Sequence, residues 1–208
     1  MPDAPRRYLF VMGSARSGGS SETLARAAAA SLPPGTAQDW KPLHESPLPA
    51  FHDAVPAGGS LDRTPEGHER VLLDATLRAT DLVVVSPLYW YSVSASVKLY
   101  LDYWGLWMQA PAIGFRPRMR GKVMWAITAF GGRDESSAGP LLETLRRSAE
   151  YLDMRWGGAV VAPGGTGTGS GFPEAQARAR HLFGPGPADR PRHRSEPVES
   201  AADGGSRP

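Results

Sequence analysis

The segment Gly13-Ser-Ala-Arg-Ser-Gly-Gly-Ser-Ser-Glu-Thr-Leu-Ala25 collects groups that bind an anion. Ser14, Ser20, Ser21 and Thr23 supply hydroxyl donors, and Arg16 supplies charge-assisted bonds. Gly18 and Gly19 let the backbone come close to a ligand. Before it lies the apolar run Tyr8 to Met12, which reads as a strand. After it lies the Ala-rich run Ser21 to Ser31, which reads as a helix. A ligand in this loop therefore meets the free N–H groups and positive dipole end of a helix N-terminus. The plainer alternative is a strand-to-helix turn with Ser caps. The coincidence of glycines, hydroxyls and Arg16 in one strand–loop–helix unit favours an anion cradle.

Spacing narrows the anion. Gly13, Gly18 and Ser20 fall on the nucleotide-triphosphate pattern Gly-x4-Gly-Lys-Ser/Thr, but Gly19 stands where the lysine must be. The Gly-x-Gly-x-x-Gly dinucleotide pattern fails at Ala15. What remains suits a single terminal phosphate, such as that of FMN.

Two other loops carry candidate contacts. Pro87, Leu88, Tyr89, Trp90 and Tyr91 follow the β-branched run Asp81 to Ser86, and core packing is the bland alternative for their rings. Thr128, Ala129, Gly131 and Gly132 sit at or just beyond the end of the apolar run Lys122 to Phe130. Tyr103, Trp104, Trp107 and Met108 form a cluster that exceeds what a single core absorbs, so a dimer face is expected there. Lys98 and Asp102 are four apart on a helix, where simple pairing is the plainer reading and a helix-positioning role near the ligand the alternative. His44, His52 and His68 lack ligand spacing and read as solvated; no metal is expected. Gly164 to Gly171 reads as a flexible loop.

The elements that position these loops alternate. Strands are expected at Tyr8 to Met12, Ala37 to Leu43, Asp81 to Ser86, Lys122 to Phe130 and Gly158 to Ala162. Helices are expected at Ser21 to Ser31, Glu66 to Ala79, Ser94 to Trp104, Ala138 to Leu152 and Glu174 to Leu182. Such alternation predicts an α/β, doubly wound, five-stranded parallel sheet with helices on both faces. Ligands of such sheets lie beyond the C-terminal strand ends, where strand order reverses. The stretch Pro47 to Pro65 reads as an irregular loop. Beyond Gly184 the chain is poor in large apolar residues, so residues 1–184 are expected as one domain and 185–208 as a disordered tail.

Composition excludes several classes. With no cysteine, thiolate nucleophiles, Cys-ligated zinc and Cys-bound iron–sulfur clusters are ruled out. A formal charge of +2 spread over 23 basic and 21 acidic residues gives no basic stripe, so nucleic acid is not an expected partner. No apolar run approaches the roughly 18 residues of a membrane span. Arg6-Arg7 and the short run after them lead straight into the Gly/Ser loop, as a first strand does and a secretion signal does not. A cytoplasmic location is the default expectation.

Taken in order, the three loops resemble the NADPH-dependent FMN reductase and NAD(P)H:quinone oxidoreductase group of flavodoxin-like proteins, over roughly residues 8 to 184. Gly13, Ser14, Arg16, Ser20 and Ser21 match its first loop, although Asn or Thr is usual in the family where the two serines stand. Pro87, Tyr89, Lys98 and Asp102 match its second signature, and Thr128 to Gly132 its third. The resemblance implies strand order 2-1-3-4-5, bound FMN, and NADPH or NADH as co-substrate. It also implies a homodimer or higher homo-oligomer, with a quinone, a related small electrophile or free flavin as acceptor. It places the FMN phosphate on Ser14, Arg16, Gly19, Ser20 and Ser21, and the ring along residues 87–91. The pyrimidine end falls to Thr128, Ala129 and the N–H groups of Gly131 and Gly132. No catalytic residue is assigned, since the cofactor does the difficult step. A flavodoxin-type electron carrier and a non-enzymatic FMN-binding protein remain as alternatives.

Overall fold

A computed structural model describes residues 5–52, 64–164 and 172–184. Most of the long loop before Pro65, the Gly-rich stretch 165–171 and the tail, with the domain boundary assigned to it, lie outside the described residues.

Five strands form one parallel sheet: β1 (Arg7–Met12), β2 (Ala37–Pro42), β3 (Asp81–Val85), β4 (Val123–Ala129) and β5 (Arg155–Ala162), in the order β2-β1-β3-β4-β5. The helices are α1 (Ser20–Ala29), α2 (Gly67–Arg78), α3 (Ala95–Met108), α4 (Phe115–Met119), α5 (Gly139–Tyr151) and α6 (Phe172–Ala179). Every residue of β3 and β4 is buried, because helices cover both sheet faces and leave no polar side to alternate with. Tyr8, Phe10, Val83, Val85 and Ile127 pack under α1 and α6. Leu9, Val11, Leu82, Val84 and Met124 pack under α2 to α5.

The sequence reading placed every strand and five of the helices, with ends shifted by a few residues. It missed α4, which is five residues long with a proline inside and so has no helical period to detect. It also misjudged the aromatic cluster. Tyr103, Trp104 and Trp107 are 4%, 4% and 1% exposed, so they are core residues and not a dimer face. They pack edge-on and tilted around Tyr100 and Phe115, with ring centroids 5.4 to 6.3 Å apart. The missed helix supplies the cover, through Phe115 and Met119. Two of these rings have their polar ends satisfied locally, while the buried Trp104 Nε1 has no hydrogen-bond partner among the described residues. Trp107 Nε1 donates to Glu69 (2.9 Å), and the Tyr100 hydroxyl bonds to Thr76 Oγ1 (2.5 Å). Burial pushes the Tyr100 hydroxyl up to about 12, so it stays neutral.

Charge is gathered at the N-terminal edge of the sheet. Asp81, 1% exposed, accepts from Arg6 Nε (3.0 Å), Thr80 Oγ1 (2.8 Å) and Trp125 Nε1 (2.9 Å). Lys122 donates to the carbonyls of Leu77 and Ala79 at the end of α2. Desolvation, with Arg118 nearby, brings its ammonium down to about 8. On the outer strand β2, Trp40 stacks on Phe10 at 3.9 Å and carries the Arg26 guanidinium 3.8 Å above its ring.

The Trp125 indole lies where β4 and β5 slip in register, opposite Gly158 (φ +128°). A Cβ on Gly157 would stand 2.5 Å from that indole, which is fixed by its bond to Asp81 and cannot yield. Gly157→Ala is therefore expected to cost about 1–3 kcal/mol, as overpacking does. Thermal denaturation should register it as a melting temperature several degrees lower; an unchanged value would show that the indole can move.

Candidate functional site

Beyond the C-terminal ends of β1, β3 and β4, three adjacent strands, run the three loops singled out by sequence. They are built against one another. Gly13 N donates to Val85 O (2.7 Å), and a Cβ on Gly13 would lie 2.4 Å from Val97 Cγ2 and 2.6 Å from Ser94 Oγ. Glycine is needed there so that the start of α3 can sit on the first loop. Ser96 Oγ donates to Gly13 O (3.2 Å). Ser86 Oγ accepts from Ser94 N (2.9 Å) and donates to Pro87 O (2.9 Å), closing the second loop at its base. Leu88 packs against the cluster of Phe130, Ala138 and Val161, joining the second loop to the third.

The first loop keeps an open shape. Gly18 has φ +70°, a left-handed conformation that favours glycine, and Gly19 is the extended residue before α1. Ser14 Oγ accepts from Arg16 N (3.0 Å) and turns the chain toward solvent. Arg16 is exposed, and its guanidinium has no ion pair or hydrogen bond among the described residues. Ser20 is half-buried and Ser21 is buried, both in the first turn of α1, where Thr23 N closes the first helical bond on Gly19 O (2.9 Å). Glu22 reaches back: its Oε2 accepts from Gly18 N (2.9 Å) and its Oε1 from Arg26 (3.1 Å). These bonds, the Gly18 N–H above all, hold its carboxyl below the usual range.

The second loop is a two-residue hairpin. Tyr89 and Ser92 exchange both backbone bonds at 3.0 Å, and the residues between them, Trp90 (φ 50°) and Tyr91 (φ 62°), are left-handed. That turn ordinarily takes Asn-Gly or Gly-Gly. Two bulky aromatics there cost about 1–3 kcal/mol each. Little packing offsets this, since Trp90 is 95% exposed, Tyr91 60% and Tyr89 53%. Pro87 and Leu88 are half-buried. Lys98 and Asp102 pair with each other on α3, as their spacing indicated.

In the third loop, Thr128 and Ala129 are buried, and Thr128 Oγ1 has no hydrogen-bond partner among the described residues. Gly131 and Gly132 are exposed, and neither N–H has a partner among the described residues. An unpaired cation, a helix start, two free N–H groups and an orphaned hydroxyl fit a phosphate joined to a polar planar ring, so the donor set fits FMN. Among the described residues no group of three or more His, Asp or Glu could hold a metal ion, and no helix is long and apolar enough to cross a membrane.

Sequence reasoning missed the joint: Gly13 for its packing, and Ser86 and Ser94 for their mutual bond. Ser94 carried a signal, as a serine directly before a helix. Glu22 carried one too, as an acid in the first helical turn.

A family model described as flavodoxin-like fold matches residues 6–182. A Paraburkholderia phymatum protein named FMN-dependent NADH:quinone oxidoreductase is 32% identical over 146 residues, which is 63% of this chain and 74% of the relative. Among solved structures, the Trp repressor binding protein of Bacillus subtilis superposes with a TM-score of 0.65 at 19% identity, over 85% of this chain and 97% of that one. The NAD(P)H:quinone oxidoreductase of Methanothermobacter marburgensis gives 0.63 at 17% identity, over 84% and 92%. At these identities the two structures bear on the fold alone.

The hairpin strain is measurable. Replacing Trp90-Tyr91 with Asn-Gly removes the left-handed penalty and forfeits almost no packing. The melting temperature should rise by at least about 4 °C, given roughly 2–4 °C per kcal/mol for a chain of this size and a penalty at both residues. A fall would mean that the two rings hold contacts that their exposure does not reveal.

Proposed function

Since the chain belongs to the flavodoxin-like family, matched over residues 6–182, we propose that it binds FMN and passes hydride from NAD(P)H to a quinone, a related small electrophile or free flavin. One observation carries this reading: three loops with unpaired anion- and amide-type donors are locked together at the C-terminal ends of β1, β3 and β4. The name of the Paraburkholderia phymatum relative supports it.

In this reading Ser14, Arg16, Gly19, Ser20 and Ser21 hold the phosphate. Pro87, Leu88, Tyr89, Trp90 and Tyr91 run along the ring edge. Thr128 and Ala129 close its pyrimidine end, where the exposed Gly131 and Gly132 N–H groups are available to negative charge. Bound FMN supplies the two-electron chemistry, so the chain needs no acid or base of its own. Its work is to orient the ring and leave one face open to NAD(P)H and then to the acceptor. An electron carrier is disfavoured, because such proteins use strong net charge to dock and this chain carries +2. The proposal includes a homodimer in the cytoplasm. The groove between α3 and α5, about 600 Å³ and lined by Leu101, Met108 and Tyr151, is the apolar surface that a second copy would cover.

Chromatography of the cofactor released by heat should give about one FMN per chain and no FAD, and the purified protein should consume NAD(P)H with a quinone acceptor. Stoichiometric FAD, or no flavin affinity, would refute the assignment. Arg16→Ala should weaken FMN binding roughly ten- to a hundredfold, the worth of a charge-assisted bond, without unfolding the chain. Riboflavin, which lacks the phosphate, should bind the variant as it binds the parent. An equal loss for both flavins would place Arg16 at the ring and not at the phosphate.

A further inference from the structure

Glu22 is the one carboxylate seated in the first loop. A glutamate at the third position of a helix ordinarily bonds the N–H of the capping residue, here Gly19. Glu22 instead overshoots the helix and takes the N–H of Gly18, the left-handed residue in the loop itself. Its other oxygen rests on Arg26, which lies over the Trp40 ring, itself stacked on Phe10. The carboxylate thus has two anchors, one in the cradle and one fixed outside it.

We propose that Glu22 is a built-in competitor for the phosphate subsite: the free protein keeps its own anion on the Gly18 N–H, and an incoming phosphate displaces it onto Arg26. The inference rests on the phosphate assignment made above. It follows from charge. A phosphate drawn to Arg16 and the start of α1 meets a negative group already on one of the donors, and like charges at such range repel. Release costs little disorder, because Arg26 stays where it is and retains the displaced oxygen. The arrangement makes the loop selective. A ligand without charge cannot dislodge the carboxylate, and one carrying a terminal phosphate can.

The test compares the full chain, freed of flavin, with Glu22→Gln and Glu22→Ala. Gln keeps an oxygen for the Gly18 N–H and removes the charge. Flavin-fluorescence titration should show FMN binding Glu22→Gln several-fold to roughly tenfold more tightly than the parent, with riboflavin affinity unchanged. Inorganic phosphate should also raise the melting temperature of Glu22→Gln more than that of the parent, a readout that needs no flavin. Unchanged or weaker FMN binding to Glu22→Gln would overturn the proposal, as would equal shifts for both flavins. Weaker binding of both flavins to Glu22→Ala, with Glu22→Gln like the parent, would overturn it as well, making Glu22 a loop brace. If the parent binds no flavin, the functional reading fails. The phosphate-induced shift then still decides for or against Glu22: a larger shift in Glu22→Gln supports it, and an equal one refutes it.

Discussion

The C-terminal edge of the sheet depends on an absent side chain. Because Gly13 has no Cβ, Val97 and Ser94 can settle on the backbone of the first loop, and α3 starts against it. That close approach puts Ser94 within reach of Ser86, fixes the foot of the second loop, and through Leu88 leans that loop on the cluster that holds Phe130 of the third. Helix propensity alone would not choose this start, since Ala95 to Met108 is apolar on nearly every side. The Ser94 cap, whose Oγ accepts from Val97 N, marks the start, and the missing Cβ of Gly13 lets that start seat on the first loop.

The two ends of the sheet are treated differently. At the N-terminal end, the buried Asp81 has its oxygens taken by Arg6, Thr80 and Trp125, and Lys122 is spent on two carbonyls. Polar groups there bond one another and hold the structure. At the C-terminal end the Arg16 guanidinium, the Gly131 and Gly132 N–H groups and the Thr128 hydroxyl are left over. Of these only the Thr128 hydroxyl is buried, where an unmade bond is costly; the others are exposed and open to a ligand. Three loops that share such donors, opposite a closed network, are what mark this end as the candidate site.

Much of this was legible in the sequence, for identifiable reasons. Short β-branched runs such as Asp81 to Val85 declare a strand covered on both faces, and the Gly/Ser loop between Met12 and Ser20 declares its own turn. The rest was hidden where a residue's partner is remote. Nothing near Trp104 or Trp107 in sequence announces that Phe115 and Met119 will cover them, so an aromatic excess looked like a surface. The hairpin at Trp90-Tyr91 was hidden for the opposite reason. Its two residues are ones that local rules place in extended or helical backbone, and the turn is imposed by the bonds of Tyr89 to Ser92 around them.

The register slip that Gly157 and Gly158 permit has a bearing on self-association. A parallel sheet of five strands has two free margins, and an unpaired row of backbone groups is a template for another chain. On β5 the slip and the Gly158 kink break that row in the middle, so a flat strand cannot dock along it. On β2 the row ends at Pro42, beside a charged pair between Lys41 and Asp39, while Trp40 is drawn inward under Arg26. Both margins are thereby poor seeds for cross-chain β-pairing, and a chain rich in buried β-branched residues is kept from polymerising through the strands that give it its core.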